Sequence, residues 1–270
     1  MDDIKCAVIG NPVKHSLSPL IHNTLYKKYG IPGKYTYIEL EQDEIASFCK
    51  EAKSELCGFN VTMPFKNAIR EFLDEDHGKL SVNTVLNKNG VLRGYSTDEF
   101  GFHRSLSTKD TLCSFDSIKV VIIGAGSVAK SLALYIRDNN GDVTIQNRTF
   151  IKAESVAKEL NIKCAELFDN RSIKECDLLI NATPLGMIGQ KEFDDYSFLN
   201  SIHKDALVYD LNYSIDKTGL EEQAECRGLR SMNGLKMLIW QAFKAFEYFT
   251  GISPSSADEE SIMNKIKEKR

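Results

Sequence analysis

The amino-acid sequence predicts an α/β fold built of two α/β domains, and three observations support this expectation. Short apolar runs of strand length alternate with segments of helical periodicity along most of the chain, a pattern typical of helices packed on a mainly parallel sheet. A glycine-rich turn joins one of these runs to a helix near the middle of the chain. The 270 residues and 42% hydrophobic content suit one large or two smaller globular domains. We expect a first domain over residues 1–104, a second over 105–233, and C-terminal helices within 234–270 that return to the first domain.

Composition and charge argue against several classes of partner. The net charge is −4 and neither sign forms a long block, which argues against a nucleic-acid or membrane-surface partner. The N-terminal segment MDDIK has no apolar signal-peptide core, and no apolar run reaches membrane-spanning length. The seven cysteines are scattered, with no C-x-x-C pair, so we expect reduced thiols, a cytoplasmic protein and no metal site.

The first domain is expected to contain a mainly parallel sheet. A helix and a strand alternate at its start, and the turn residues Asn87–Gly90 separate two short runs that predict a hairpin. The predicted strands cover residues 5–9, 35–40, 58–62, 82–86 and 91–94, and the predicted helices cover 23–29 and 44–54.

The second domain begins with a predicted βαβ unit. The apolar run VVII at 120–123 predicts a strand buried on both faces. The turn GAGSVA follows it, with Gly124 for a tight turn, Gly126 for close approach of a pyrophosphate and Ala129 for close helix packing. Ser127 opens the helix, whose free N–H groups would face the phosphates. We interpret this as a Rossmann-type dinucleotide site, and a tight turn in an ordinary α/β sheet is the alternative.

The end of the next predicted strand, 142–146, indicates which dinucleotide binds. An NAD site normally carries Asp or Glu there, whereas this chain has Asn147, Arg148 and Thr149, with Lys152 one turn later. A guanidinium, a hydroxyl and an ammonium suit a 2′-phosphate, so we predict NADP(H). A solvated basic helix start is the alternative.

The alternation of strands and helices continues to the end of the second domain. The closing helix, 234–249, places an apolar stripe on one face, which we interpret as core. Gln241 lies beside that stripe, where an amide has room to face a ligand. The predicted helices cover 153–160 and 220–227, the predicted strands 178–181 and 207–210, and the stripe is Leu235, Leu238, Ile239, Ala242, Phe246 and Phe249.

Two serines of the loop NPVKHSLSP form the first polar candidate site. In an extended segment, Ser16 and Ser18 would point the same way and suit a polyhydroxylated ligand. The alternative, favoured on the residues alone, is that Ser18 caps the following helix with Pro19 at its first position.

Polar residues at the end of the third predicted strand form the second candidate site. Asn60 and Thr62 fall at the carboxyl edge, where ligands bind in open α/β sheets. Lys66 is predicted to open the next helix, an electrostatically unfavourable place for a cation that would suit an acid–base role, and a solvated surface lysine is the alternative. Further along, Asn83 supplies an amide, and Asp98 either pairs with Lys66 or caps its own helix.

Nine motifs taken together are similar to the shikimate dehydrogenase family. In chain order they are GNPVKHSLSP, NVTMPFK, SVNT, STDEFG, GAGSVAKS, NRT, NATPLGM, DLNYSIDKT and GLKMLIWQAF, over residues 5–251. The resemblance implies NADPH-dependent reduction of 3-dehydroshikimate to shikimate in aromatic amino-acid (chorismate) biosynthesis, with a small-molecule substrate and a monomer or homodimer.

The resemblance also implies a role for each matching residue. Lys66 and Asp98 match the catalytic pair, and Ser16 and Ser18 match ligands of the substrate carboxylate. Other implied substrate ligands are Thr62, Asn83, Tyr213 and Gln241, with Asn60 in the same strand-end motif. The implied 2′-phosphate clamp is Asn147, Arg148, Thr149 and Lys152, and the positions beside the adenosine or nicotinamide are Thr183, Met187, Gly234 and Met237.

Four positions depart from the family pattern. Ser96 replaces the usual Asn before Thr97, the interval from Lys66 to Asn83 is shortened, Ser127 stands where Gly is common, and Ile215 stands where Pro is frequent. Two alternatives therefore stay open. One is a quinate/shikimate dehydrogenase with shifted substrate or NAD preference, and the other is a non-catalytic sensor that binds NADP or shikimate.

Overall fold

The computed structural model describes residues 4–107, 114–187 and 189–268, so the N-terminal residues Met1, Asp2 and Asp3 lie outside the described part. The chain divides into two compact units, Met1–Phe102 with Leu238–Arg270, and His103–Met237. Each unit has a six-stranded sheet, and the predicted α/β class is confirmed.

The elements of the first unit alternate as expected at its start. They are β1 (Ile4–Gly10), α1 (Ser18–Lys28), β2 (Gly33–Glu39), α2 (Ile45–Glu55), β3 (Gly58–Val61), β4 (Glu75–Asp76), β5 (Thr84–Lys88), β6 (Val91–Tyr95) and the start of α3 (Asp98–Leu106).

The first sheet has the strand order β2-β1-β3-β5-β6-β4. Strand β1 runs parallel to β2 and β3, whereas β5 is antiparallel to both of its neighbours, β3 and β6. Strand β1 lies inside the sheet, so its apolar run is buried on both faces, with Ala7 and Ile9 fully inaccessible. The backbone N–H of Thr62 donates to the carbonyl of Ile9 at 2.9 Å, which brings the loops after β1 and β3 together.

Local turn chemistry corrects two predicted boundaries. The hairpin turn has two residues, Asn89 and Gly90, with φ of 56° and 82°, as a type I′ turn requires. Strand β5 therefore extends further into the hairpin than predicted, to Lys88, whereas β6 begins at Val91 as predicted. Helix α1 begins at Ser18, because Pro19 fits its first turn.

The second unit contains a parallel sheet of the order β12-β11-β10-β7-β8-β9. The strand boundaries predicted for β8, β10 and β11 agree with the structure. The elements are β7 (Lys119–Ile123), α4 (Ser127–Asp138), β8 (Asp142–Gln146), α5 (Phe150–Leu160), β9 (Lys163–Ala165), α6 (Asn170–Glu175), β10 (Leu178–Asn181), β11 (Leu207–Asp210), α7 (Gly219–Cys226) and β12 (Arg230–Asn233).

The chain closes with helices α8 (Leu235–Thr250) and α9 (Ser256–Glu268). The predicted apolar stripe of α8 is core at Ile239, Ala242 and Phe246, which are fully buried. Among the described residues no helix has both the length and the apolar character needed to cross a bilayer, and no three His, Cys, Asp or Glu side chains form a group able to hold a metal ion.

A buried histidine packs inside the first unit. His22 on α1 is fully inaccessible, and its ring stacks on Tyr35 at 4.1 Å with a 5° interplanar angle. Within the described part of the chain neither ring nitrogen has a hydrogen-bond partner. Burial lowers the pKa of His22 from 6.5 to about 3, because the imidazolium would lose its hydration.

We expect this burial to make the first unit acid-sensitive. In the unfolded chain His22 binds a proton below about pH 6.5, whereas in the folded chain it does so only below about pH 3. As the pH falls between these values, His22 therefore lowers the free energy of unfolding by about 1.4 kcal/mol per pH unit. Urea unfolding of wild-type and His22→Phe protein measures this, and the variant should lose less stability on acidification. Equal pH dependence in the two proteins, with the exposed-site variant His15→Phe as the control, would contradict it.

Candidate active site

A lysine–aspartate pair forms the centre of the candidate site in the first unit. The Lys66 Nζ donates to the Asp98 Oδ2 at 2.6 Å, with 13% and 7% of the two side chains exposed. Of the two interpretations of Asp98, the structure therefore supports pairing. The expectation that Lys66 opens an α-helix is wrong, because Lys66 lies in a turn that precedes a short 3₁₀ helix at Ala68–Phe72.

Asn83 holds the second oxygen of Asp98. Its Nδ2 donates to the Asp98 Oδ1 at 2.8 Å, and its Oδ1 accepts from the backbone N–H of Thr97 at 2.9 Å. A backbone N–H can only donate, so this contact turns the Asn83 amide with its Nδ2 towards Asp98. Each carboxylate oxygen therefore has its own donor, and the pair is fixed from two sides.

Thr97 is a site residue that the sequence interpretation missed. Its fully buried hydroxyl accepts from the Asn83 Nδ2 at 3.0 Å and donates to the Gln241 Oε1 at 3.3 Å. Gln241 on α8 also donates from Nε2 to the Leu238 carbonyl at 2.9 Å. One hydroxyl thus connects two of the predicted substrate ligands. The available signal was its position directly before Asp98, at a strand-to-helix junction.

The amide of Asn60 is occupied by protein contacts. Its Oδ1 accepts from the Tyr35 hydroxyl at 2.6 Å, and its Nδ2 donates to the Asn83 carbonyl at 3.1 Å and to the Thr84 hydroxyl at 2.9 Å. The substrate contact of Asn60 stays a prediction. In the structure this side chain, which is 6% exposed, supports the backbone of Asn83 through the bond to its carbonyl.

Both geometric expectations for the two serines are wrong. The segment before α1 is made of turns rather than extended chain, with the Ser16 N–H bonded to the Val13 carbonyl at 3.0 Å. Leu17 occupies the N-cap position, and Ser18 is the first helical residue. The Ser16 Oγ accepts from the Ser18 backbone N–H at 3.2 Å, so Ser16 supports the helix start. Thr62, the first residue after β3, is half-buried.

Ser96, a departure from the family pattern, forms its side-chain hydrogen bond with Glu99. Its hydroxyl donates to the Glu99 Oε2 at 2.5 Å. Asp98 keeps its contacts to Lys66 and Asn83, so the Lys66–Asp98 pair is assembled with Ser at this position.

The glycine turn in the second unit has the geometry that a pyrophosphate needs. Gly124 has a φ of +117°, and a Cβ there would lie 2.8 Å from the Ala182 carbonyl oxygen. Gly126 is the N-cap of α4, and a Cβ there would meet no atom within 4 Å. Ala129 is fully buried against the sheet. Open backbone at the N-terminus of a twelve-residue helix fits a bound anion.

Exposed basic residues follow β8, the strand beside β7. Arg148, Thr149 and Lys152 are exposed, and the Asn147 Nδ2 donates to the Thr149 carbonyl at 3.0 Å. The first turn of α5 carries no acidic residue. The cation-rich surface beside the glycine turn fits the 2′-phosphate of a dinucleotide.

The other residues expected near the cofactor also lie in the second unit. The Thr183 hydroxyl donates to the Asn181 Oδ1 at 2.7 Å. The Gly234 N–H donates to the Asn212 carbonyl at 2.9 Å, and a Cβ on Gly234 would lie 2.1 Å from the Leu211 carbonyl. Met237 is buried and Met187 is half-buried. Tyr213, which was expected to be a substrate ligand, also lies in this unit and is half-buried, with its pKa raised by burial.

Comparison with known proteins gives the same family along most of the chain. Residues 8–85 match the shikimate dehydrogenase substrate binding domain, 107–211 match shikimate / quinate 5-dehydrogenase, and 234–258 match the shikimate 5′-dehydrogenase C-terminal domain. The chain is 38% identical over 260 residues to the shikimate dehydrogenase (NADP(+)) of Alkaliphilus metalliredigens, with 90% of each covered.

Two solved structures have the same architecture. A shikimate dehydrogenase in complex with NADP⁺ has a TM-score of 0.89 at 31% identity, covering 99% of this chain and 96% of that one. The Thermus thermophilus shikimate 5-dehydrogenase in complex with NADP(H) and shikimate has a TM-score of 0.87 at 28% identity, covering 97% and 99%. The fold and the two sites define a dinucleotide-dependent α/β oxidoreductase. The chain belongs to the shikimate dehydrogenase family.

Proposed function

We propose that this protein is an NADP-dependent shikimate dehydrogenase that reversibly reduces 3-dehydroshikimate to shikimate. The observation that carries the proposal is the buried pair of Lys66 and Asp98, held at 2.6 Å and fixed by Asn83. A positioned proton donor is what ketone reduction needs, because negative charge develops on the carbonyl oxygen. The names of the relatives support the same substrate and cofactor.

The second unit is proposed to bind the cofactor, and the first to supply most of the substrate ligands. The glycine turn would hold the pyrophosphate, while Asn147, Arg148, Thr149 and Lys152 would hold the 2′-phosphate. NADPH, when bound, supplies the hydride. Thr183, Met187, Gly234 and Met237 are proposed to line the rest of the cofactor.

The proton chemistry is assigned to Lys66. Lys66 gives a proton to the ketone oxygen as the carbon is reduced, and in the reverse direction neutral Lys66 takes the proton from the hydroxyl. Asp98 orients Lys66 and accepts from a substrate hydroxyl. The groups proposed to bind the substrate carboxylate and hydroxyls are Ser16, Ser18, Thr62, Asn83, Tyr213 and Gln241.

The two glycines of the turn should respond differently to alanine. We expect Gly126→Ala to keep the wild-type melting temperature, because the new Cβ has free space, yet to weaken NADP⁺ binding by about tenfold or more, because the methyl group occupies the pyrophosphate approach. Gly124→Ala should lower the melting temperature, because its φ is +117° and the Cβ meets the Ala182 carbonyl. Thermal unfolding and calorimetric titration measure both effects. Unchanged affinity of the Gly126→Ala protein for NADP⁺ would contradict the proposal that the pyrophosphate binds at this turn.

A crossed absorbance assay tests the function directly. Shikimate and quinate are each combined with NADP⁺ and NAD⁺, and the nicotinamide band is followed. We expect fast turnover with shikimate and NADP⁺ alone. Comparable rates with quinate or NAD⁺ would favour the alternative of a quinate/shikimate dehydrogenase with shifted substrate or cofactor preference. Saturable NADP(H) binding without turnover would favour the alternative of a non-catalytic sensor. We also propose that the protein is cytoplasmic and that it is a monomer or a homodimer. Light scattering of the purified protein would distinguish these two oligomeric states from larger assemblies.

A further inference from the structure

A second buried polar network lies at the carboxyl ends of β10 and β11. The Asp210 Oδ1 accepts from the Asn181 Nδ2 at 2.9 Å and from the backbone N–H of Asn212 at 3.1 Å. Asp210 and Asn181 are fully inaccessible and Asn212 is 8% exposed. Burial raises the pKa of Asp210 to about 6. The proposed reaction assigns no role to these three residues.

The two amides of this network bind the start of the neighbouring loop. The Asn181 Oδ1 accepts from the N–H and the hydroxyl of Thr183 at 3.0 and 2.7 Å. The Asn212 Nδ2 donates to the carbonyls of Thr183 and Leu185 at 3.1 and 2.8 Å. The Asn181 Nδ2 donates both to Asp210 and to the Leu185 carbonyl, at 2.9 and 3.1 Å, so the Asn181 amide presents its oxygen to Thr183. Asp210 is therefore the buried side chain among the acceptors that orient the group holding the loop.

The position of this loop relative to the sheet assigns it to one half of a dinucleotide. Strand β7, with the glycine turn, lies between β8 and β10. The basic residues follow β8, and the loop that starts at Thr183 follows β10. A cofactor with its 2′-phosphate beyond β8 and its pyrophosphate at the β7 turn has to place its remaining half on the β10 side. The loop also abuts the turn, since a Cβ on Gly124 would lie 3.1 Å from the Thr183 Cγ2.

We propose that Asp210, through Asn181 and Asn212, positions the loop Thr183–Met187 against the nicotinamide half of the cofactor. This inference rests on the proposed function. The three residues act as positioning residues, because the hydrogen bonds described for them join them to one another, to the backbone and to the Thr183 hydroxyl. Their effect should appear in the affinity for the whole dinucleotide and not in the affinity for its adenosine half.

Calorimetric titrations with NADP⁺ and with adenosine 2′,5′-bisphosphate separate the two halves. Asn212→Ala removes two hydrogen bonds to the loop, so we expect the Kd for NADP⁺ to rise about tenfold. The Kd for the bisphosphate, which reaches the clamp and the glycine turn but has no nicotinamide half, should stay within about twofold. Asp210→Ala should raise the NADP⁺ Kd at least as much, whereas Asp210→Asn keeps an oxygen acceptor and should recover most of the affinity. Asn200→Ala, at an exposed position of the same unit, is the matched control.

The outcomes separate this inference from the function on which it rests. Unchanged NADP⁺ affinity in Asn212→Ala overturns the inference alone, as does a parallel loss of both ligands, which would indicate general damage to the second unit. Wild-type protein that binds neither ligand overturns the proposed cofactor and the inference together. Selective loss of NADP⁺ with retained bisphosphate binding supports both.

Discussion

Replacing Lys66 with alanine should lower kcat for shikimate oxidation by roughly a thousandfold, the usual contribution of a positioned acid–base residue. The KM for shikimate should change little, because the substrate ligands proposed on other elements remain. Asp98 keeps its contact with Asn83 at 2.8 Å, so the rest of the site is expected to stay in place. Steady-state kinetics with saturating NADP⁺ measures both constants.

A surface ion pair provides the control for this variant. Lys53 donates to Asp74 at 2.9 Å with 37% and 39% of the two side chains exposed, so Lys53→Ala removes the same type of contact away from the site. We expect wild-type kcat from Lys53→Ala, since exposed pairs contribute little to stability. A Lys66→Ala protein that loses affinity but keeps kcat would assign Lys66 to binding instead of proton transfer.

Removing the two cations beside the glycine turn should reverse the cofactor preference. In Arg148→Ala/Lys152→Ala protein we expect kcat/KM with NADP⁺ to fall by about a hundredfold or more, because each charge-assisted contact to phosphate contributes about 1.5–3 kcal/mol. The value with NAD⁺, which has no 2′-phosphate, should change only about threefold. Initial rates with both cofactors at a fixed shikimate concentration measure the ratio.

The exposed basic residues Arg171 and Lys174 on α6 give a matched control. Arg171→Ala/Lys174→Ala protein should keep the wild-type preference, which excludes a general effect of net charge. Equal losses with NADP⁺ and NAD⁺ in the Arg148→Ala/Lys152→Ala protein would place the 2′-phosphate elsewhere.

The second unit could be predicted closely from the sequence because its strands are buried on both faces. A fully buried parallel strand requires an uninterrupted apolar run. Polar residues flank the two runs that end at Asn181 and Asp210, so the strand boundaries could be predicted from the sequence. The glycine turn was equally predictable, since Gly124 occupies a backbone conformation that side chains rarely adopt.

The polar site of the first unit was only partly predictable, because side-chain contacts there depend on tertiary structure. Lys66 and Asp98 are 32 residues apart, and nothing local required Asp98 to pair instead of capping α3. Serine is a residue type favoured at N-caps, and a cap at Ser18 requires the helix to begin at Pro19. The turn at Ser16 instead allows the helix to begin one residue earlier, at Ser18. Thr97 hydrogen-bonds the side chains of Asn83 and Gln241, and contacts of this kind between distant residues leave no spacing pattern in the sequence.

Isotope transfer would test the central claim most directly. NADPH deuterated at both C4 positions of the nicotinamide is incubated with the protein and 3-dehydroshikimate, and the product is examined by mass spectrometry and NMR. We predict shikimate with deuterium on the carbon that bore the ketone, since the cofactor delivers hydride to that carbon while Lys66 supplies a solvent-exchangeable proton to oxygen. Shikimate without deuterium at that carbon, or no reduction at all, would contradict the account.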